Sequence, residues 1–259
     1  MLLPDRVESL DDGGIDAAYA WPSQSWVRAN MVSTVDGGAQ SEAGTSRGIS
    51  SDADRRLFSA LRGSADVVLV GAQTVRAEGY GPARPKTAYD DDRAARGQLP
   101  APVIAVVSRS LDLPLDSPLF AVRRAVSGGD VAPPIVITTS GADPARREAI
   151  PSDIDVLAYG VGDVDLGAAI ADLRERGFSR IHCEGGPHLL GDLIGAGLLD
   201  ELCLTISPML VGSTPGDIVG RITAPSSRAH QYVDLTLGHL LEEDGSLFAR
   251  YLVTRGAAS

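Results

Sequence analysis

Glu184-Gly185-Gly186-Pro187 stands between a short apolar run, Ile181 to Cys183, and the helix-type pattern HLLGDLIGAG. Glycines at such a turn let a ligand reach the backbone with no Cβ in the way. Proline suits a first helical turn, where its missing N–H costs nothing. The free amides that open the following helix lie at its positive end and make an anion site. A phosphate would fit there, with Glu184 facing whatever lies beside it; a plain strand-to-helix turn with a chance acid accounts for the same residues. Three other junctions carry ligand-type residues. Gly71 ends an apolar run and Thr74 lies in the next turn, where its hydroxyl either reaches a ligand or caps a helix or faces solvent. Asp36 follows an apolar stretch and precedes two glycines, with an Asp-Gly turn as the alternative. Ser108 and Arg109 follow another apolar run. Such a pair could grip a ribose 2′-phosphate, which marks NADP over NAD, or be a surface serine and arginine.

These residues need a sheet to bring their junctions to one edge. Strand-type runs occur at 26–33, 65–71, 102–108, 133–140, 155–160 and 200–212, besides the run that ends at Cys183. Helix-type spacing occurs between them. Ser51 is placed to cap a helix that Gly63 ends, with Asp54 three residues on as in a capping box. A short helix is expected after Gly71 and another from Asp143 to Ile150. The apolar positions 166, 169, 170 and 173 predict one that stops at Gly177. Residues 79–100 hold Gly, Pro, three consecutive aspartates and several arginines, the composition of an exposed loop and a candidate for mobility. The tail alternates on both sides of Asp244-Gly245, a strong hairpin signal. The order predicts an α/β fold: a mixed, mainly parallel central sheet with helices on both faces and a C-terminal antiparallel hairpin. An N-terminal arm over 1–24 and a single domain over 25–259 are expected.

The net charge of -11 excludes a nucleic-acid or anionic-membrane partner, because nothing basic offsets phosphate repulsion. No stretch is apolar enough to span a membrane, and the first residues lack a secretory pattern. Cys183 and Cys203 sit in strand-type runs and read as buried thiols of a reduced protein, so a cytoplasmic location is expected. The four histidines lack the cysteine company and spacing of a zinc site, and no metal is expected.

Taken together, STVDG, RLFSALRGSADVVLVGAQTV, CEGGPHLLGDLIGAGLLDEL and LTISPMLVG resemble the reductase domain of bacterial bifunctional riboflavin-biosynthesis enzymes. The resemblance runs from about Trp26 to the C-terminus and is weak between 79 and 160. It implies a dihydrofolate-reductase-like fold, NADPH as coenzyme, and reduction of the ribosyl group of a phosphorylated aminopyrimidine to ribityl. It further implies that Thr74 contacts NADPH and that Gly186, Pro187, His188, Leu189, Leu190, Gly191 and Asp192 wrap its phosphates, with Gly185 opening the turn. Glu184 and Arg62 fall at the substrate, Ser46 more loosely. Asp36 falls beside the nicotinamide, and Glu184 and Asp36 are the carboxylates expected to serve catalysis. Glu78 replaces an aspartate of the family and keeps a cofactor contact, while Ser108 and Arg109 lie near the coenzyme.

Two departures stand out. Gly48 occupies a position where the family often has Trp, and GYGPARPK, with Arg84 and Lys86, replaces a run that holds the substrate phosphate. The zinc-deaminase signature of the bifunctional enzymes is absent, which implies a stand-alone reductase. Two other classes stay open. One is a pterin or dihydrofolate-type reductase, for which Asp52 and Asp54 are the candidate carboxylates. The other is a non-catalytic NADP-binding paralogue. A homodimer is expected, because family members pair through sheets and this chain has strand to spare.

Overall fold

The computed structural model describes residues 9–122, 131–212 and 233–254. The first part of the expected arm and Tyr232, at the head of the tail pattern, lie outside them. The chain divides into two compact units, Arg62–His182 and the combination of Met1–Leu61 with Cys183–Ser259.

In the unit of Arg62–His182, the strands lie in the order β5 (Asp155–Ala158), β4 (Ile135–Thr138), β3 (Val103–Val107), β2 (Val67–Gly71) and β6 (Arg180–Cys183). The β2–β3, β3–β4 and β4–β5 pairs are parallel. Val67 to Val70 and Ile135 to Thr138 are buried without a break, the signature of strands covered on both faces. Val75 of α3 (Ala72–Glu78) joins a core with Val68, Val70, Ile104, Val106 and Phe120.

The 79–100 segment is more built than its composition predicts. It holds a short 3-10 turn and α4 (Asp90–Ala95), which turns Arg93 inward. The Arg93 guanidinium donates to the carbonyls of Gly63, Ala65 and Leu99 at 2.8, 2.7 and 2.6 Å. A buried cation that satisfies chain-turn carbonyls does the work a capping residue would do.

In the other unit, β1 (Trp26–Thr34) pairs parallel with β7 (Glu201–Ser207), which pairs antiparallel with β9 (Ser246–Val253), and β9 with β8 (Leu235–Glu243). The hairpin turns at Asp244-Gly245, both at positive φ (51° and 78°), as a tight turn between right-twisted strands requires. Helix α2 (Asp52–Gly63) opens where expected: the Ser51 hydroxyl accepts the Asp54 N–H at 3.1 Å. The Asp54 carboxylate does not complete the box but accepts the Ser50 hydroxyl at 2.5 Å. Leu57 and Leu61 of α2, and Ile15 of α1 (Asp12–Ala18), pack on Cys203 and Phe248.

That core encloses charge. Arg28 and Glu201 face each other in the β1–β7 register, with Nε–Oε1 at 2.7 Å and both side chains fully buried. Arg250 adds Nε–Oε1 at 2.9 Å and Nη2–Oε2 at 3.0 Å, and the Trp26 indole donates to Oε2 at 2.9 Å. The same two arginines donate to the carbonyls of Tyr19 and Ala18 at the end of α1, at 2.8 and 2.9 Å. Cations on the carbonyl end of a helix also meet its negative pole. Burial alone raises the Glu201 carboxyl, but Arg28 and Arg250 outweigh it and the net shift is downward.

A bulge in β8 between Leu237 and His239 opposes His239 to Arg250, edge-on to the Tyr19 ring at 4.6 Å between centroids. Burial, helped by the Arg250 charge, lowers the His239 pKa from 6.5 to about 4. Between those two values the unfolded chain takes up a proton that folded His239 refuses. Stability contributed by this group is therefore intact above pH 6.5 and falls as the pH drops toward 4, by on the order of 3 kcal/mol. His239→Phe keeps the ring without the proton site. In denaturant unfolding it is expected to lose roughly 2 kcal/mol less than the parent between pH 7 and 4.5. Equal losses in both proteins would assign the acid sensitivity to other groups.

Candidate functional site

The residues singled out in the sequence fall in both units and are described within each. In the unit that holds β1 and β7, Glu184, which is 8% exposed, stands three residues before the start of α7 (Pro187–Gly195). Gly185 has φ 95°, which a side chain would strain, and an added Cβ would lie 3.4 Å from the Met31 sulfur of β1. The Gly185–Gly186 peptide is cis. Gly186 is the N-cap of α7 and brings no side chain of its own to cap the amides of the first turn. Leu189, Leu190 and Gly191 are buried, Asp192 is half-buried and His188 is exposed. The leucine side chains thus belong to the core, and what Leu189, Leu190 and Gly191 offer a ligand is backbone. The Cys183 thiol, buried beside the turn, is pushed up to about 12 and stays protonated. Cys183 and Cys203 are both free and buried.

Asp36 follows β1 in the expected Asp-Gly turn and does more than turn the chain. Its carboxylate accepts the Thr34 hydroxyl at 2.5 Å, the Gly212 N–H at 2.8 Å and the Val211 N–H at 3.2 Å. The Thr34 hydroxyl first, then those two amides, hold its pKa below the ordinary carboxylate value. It is an ionised acceptor that ties the β1 turn to the chain leaving β7. Strand β7 ends at Ser207, short of the expected 212, because Pro208 lacks an N–H for the ladder and Asp36 takes the amides beyond it. Ser46 opens a 3-10 turn, Ser46–Gly48, and is half-buried. A Cβ on Gly48 would lie 2.6 Å from that of Ser41, so the larger residue of the family has no room in this loop.

In the unit Arg62–His182, Thr74 stands in the first turn of α3 and Glu78 four residues on, on the same helix face. Both are half-buried. The Arg62 guanidinium lies 5.4 Å from the centroid of the Tyr80 ring, a cation–π contact. Tyr80 belongs to the stretch that departs from the family and was not among the expected site residues. The signal for it was an aromatic between two glycines directly after a helix. Ser108 is buried, with its N–H on the Ile137 carbonyl at 2.9 Å. The Arg109 side chain is exposed and paired with Asp163 at 2.8 Å. Among the described residues no group of His, Cys, Asp and Glu could hold a metal ion, and no helix is long and apolar enough to cross a membrane.

Residues 25–236 match the RibD C-terminal domain. The chain belongs to that family. It is 31% identical to a 2,5-diamino-6-ribosylamino-4(3H)-pyrimidinone 5′-phosphate reductase of Methanothermobacter thermautotrophicus, over 72% of this chain and 79% of the relative. The reductase of the same name from Archaeoglobus fulgidus is 26% identical over 72% of this chain and 82% of its own. Among solved structures, a pyrimidine reductase-like protein of Corynebacterium diphtheriae superposes with TM-score 0.81 and 27% identity. That match covers 93% of this chain and 98% of the other. The mixed α/β architecture with its C-terminal antiparallel hairpin is therefore the family's own.

Proposed function

We propose that this chain is an NADPH-dependent reductase that converts the ribosyl group of a ribosylaminopyrimidine 5′-phosphate to ribityl in riboflavin biosynthesis, working as a cytoplasmic homodimer. Two relatives with high mutual coverage are named as reductases of a ribosylamino-pyrimidinone 5′-phosphate. The observation that carries the reading is the Glu184–Pro187 turn, which lies inside the matched span. It combines a nearly buried carboxylate, a glycine at positive φ and a helix whose N-cap is a glycine.

That turn suits a dinucleotide. The α7 amides and the helix pole hold its diphosphate, and the lack of a Cβ at Gly185 and Gly186 lets the phosphates come close. Thr74 and Glu78 offer a hydroxyl and an acceptor to the coenzyme from one face of α3. Ser108 and Arg109 offer donors to a 2′-phosphate. When bound, the coenzyme supplies the hydride. The protein then has to orient the acceptor and manage charge. In the unit of β1 and β7, Glu184 accepts hydrogen bonds from the amino groups of the pyrimidine and Ser46 offers it a hydroxyl. In the other unit, Arg62, steadied by Tyr80, is the cation suited to an anionic group. Asp36 is ionised and fully engaged by donors, so it shapes the nicotinamide end and is a poor proton donor.

One observation favours a second reading, a pterin-type reductase. Asp54 near the start of α2 is 5% exposed, and among the described residues its Oδ1 has no hydrogen-bond partner. The test is coenzyme oxidation followed at the nicotinamide absorbance band, with a ribosylaminopyrimidine phosphate and with dihydrofolate, using NADPH and NADH side by side. Turnover of the pyrimidine with NADPH is expected. Turnover of dihydrofolate alone would move the assignment to the pterin reading. Coenzyme binding without consumption of any substrate would make the chain a non-catalytic paralogue.

A further inference from the structure

We propose that Asp163 tempers the coenzyme preference of this protein, as a resident anion that competes for the guanidinium offered to a ribose 2′-phosphate. This rests on the coenzyme reading above and adds to it a residue that opposes the phosphate. The Arg109–Asp163 pair joins two anchored backbones. On one side, Ser108 is tied to Ile137, and Arg146 donates to the Ser110 carbonyl at 3.1 Å. On the other, the loop after β5 is stitched to the end of β4. Ser140 donates to the Gly160 carbonyl through both its N–H (2.8 Å) and its hydroxyl (2.7 Å). The Thr139 hydroxyl donates to the Val161 carbonyl at 2.8 Å, and Asp165 N–H returns to Tyr159 at 3.1 Å. Gly141 lies so close that a Cβ there would meet the Val161 carbonyl at 2.5 Å. Asp163 is therefore presented to Arg109 by a fixed loop.

The side chains themselves are 70% and 65% exposed. An ion pair this open is weak and easily exchanged. A phosphate dianion, with more charge and a geometry suited to bidentate donors, displaces the carboxylate from Arg109. The carboxylate remains nearby on its fixed loop and repels the phosphate. A coenzyme with a free 2′-hydroxyl feels neither effect. Asp163 thus narrows the advantage of the phosphorylated coenzyme, and its neutral isostere widens it.

Calorimetric titration with adenosine 2′,5′-bisphosphate and with 5′-AMP reads this without any turnover. Asp163→Asn is expected to tighten the bisphosphate by about 3- to 10-fold at low salt and leave 5′-AMP within about twofold. The gain shrinks at high salt. Asp163→Glu restores the parent discrimination. In an Arg109→Ala background, Asp163→Asn loses most of its effect, because the group it contests is gone. Equal tightening of both ligands, or no change in either, overturns the role of Asp163 while the coenzyme reading stands. If neither ligand nor NADPH binds the parent protein, the coenzyme reading falls and Asp163 with it.

Discussion

Glu184→Gln is expected to lower kcat/KM with the pyrimidine substrate by about 100- to 1,000-fold. The glutamine is isosteric with the glutamate, so the strand end and the turn into α7 keep their shape. The chemistry changes in two ways. One carboxyl oxygen acceptor is lost, and each hydrogen bond so broken in a buried place costs roughly 1–3 kcal/mol. An amide N–H also comes to face the amino groups of the ring, donor against donor. Losing one or two such bonds in a nearly buried place corresponds to two or three powers of ten, at about 1.4 kcal/mol each. The division between constants separates the possible roles. If Glu184 holds the ring equally in ground and transition states, KM rises and kcat is kept. If it delivers a proton, kcat falls and the alkaline limb of the pH profile moves. A glutamine variant with parent kcat/KM and an unchanged melting temperature would remove Glu184 from the site.

Much of this was legible in the sequence, for identifiable reasons. Parallel strands buried on both faces write themselves as unbroken apolar runs, so β2 and β3 could be read almost to the residue. Local chemistry was equally readable: the Ser51 cap, the Asp244-Gly245 turn and the Gly-Gly-Pro entry to α7 each involve neighbours in the chain. Interactions that depend on which strands become neighbours were hidden. Asp36 looked like a turn residue because the amides it binds lie about 175 positions away. Its grip on Val211 and Gly212 also explains why β7 stops before its apolar run does. Arg93 in an acidic stretch looked solvent-facing, yet its partners are carbonyls at a helix end and two loops. Arg109 was legible as a cation after a strand, but its acid partner came from another strand end.

The largest stability effect expected anywhere in the chain comes from Glu201, whose charged partners were not evident either. Arg28, Glu201 and Arg250 sit on three different strands, and only the registers Arg28↔Glu201 and Cys203↔Arg250 bring them together. Glu201→Ala leaves the buried Arg28 guanidinium and the partly buried one of Arg250 without their counter-charge. Breaking a buried pair in this way costs about 3–5 kcal/mol, on the order of 10 °C in Tm for a chain of this length. The two arginines also hold the carbonyl end of α1, so the N-terminal helix is expected to loosen first, which hydrogen exchange at Ile15 and Tyr19 would report. The cause can be separated from simple loss of packing. Replacing all three residues with apolar ones of similar volume (Arg28→Met, Glu201→Leu, Arg250→Leu) removes the charges together and should cost much less than Glu201→Ala alone, since desolvation then no longer needs offsetting. The pH dependence follows from the lowered Glu201 value. Its contribution is complete above the ordinary carboxylate pKa and is lost as the pH falls through the depressed folded value, so Glu201→Ala should flatten the acid limb of the stability curve. A triple variant as unstable as Glu201→Ala, with the same acid limb as the parent, would show that volume and not charge compensation is what Glu201 provides.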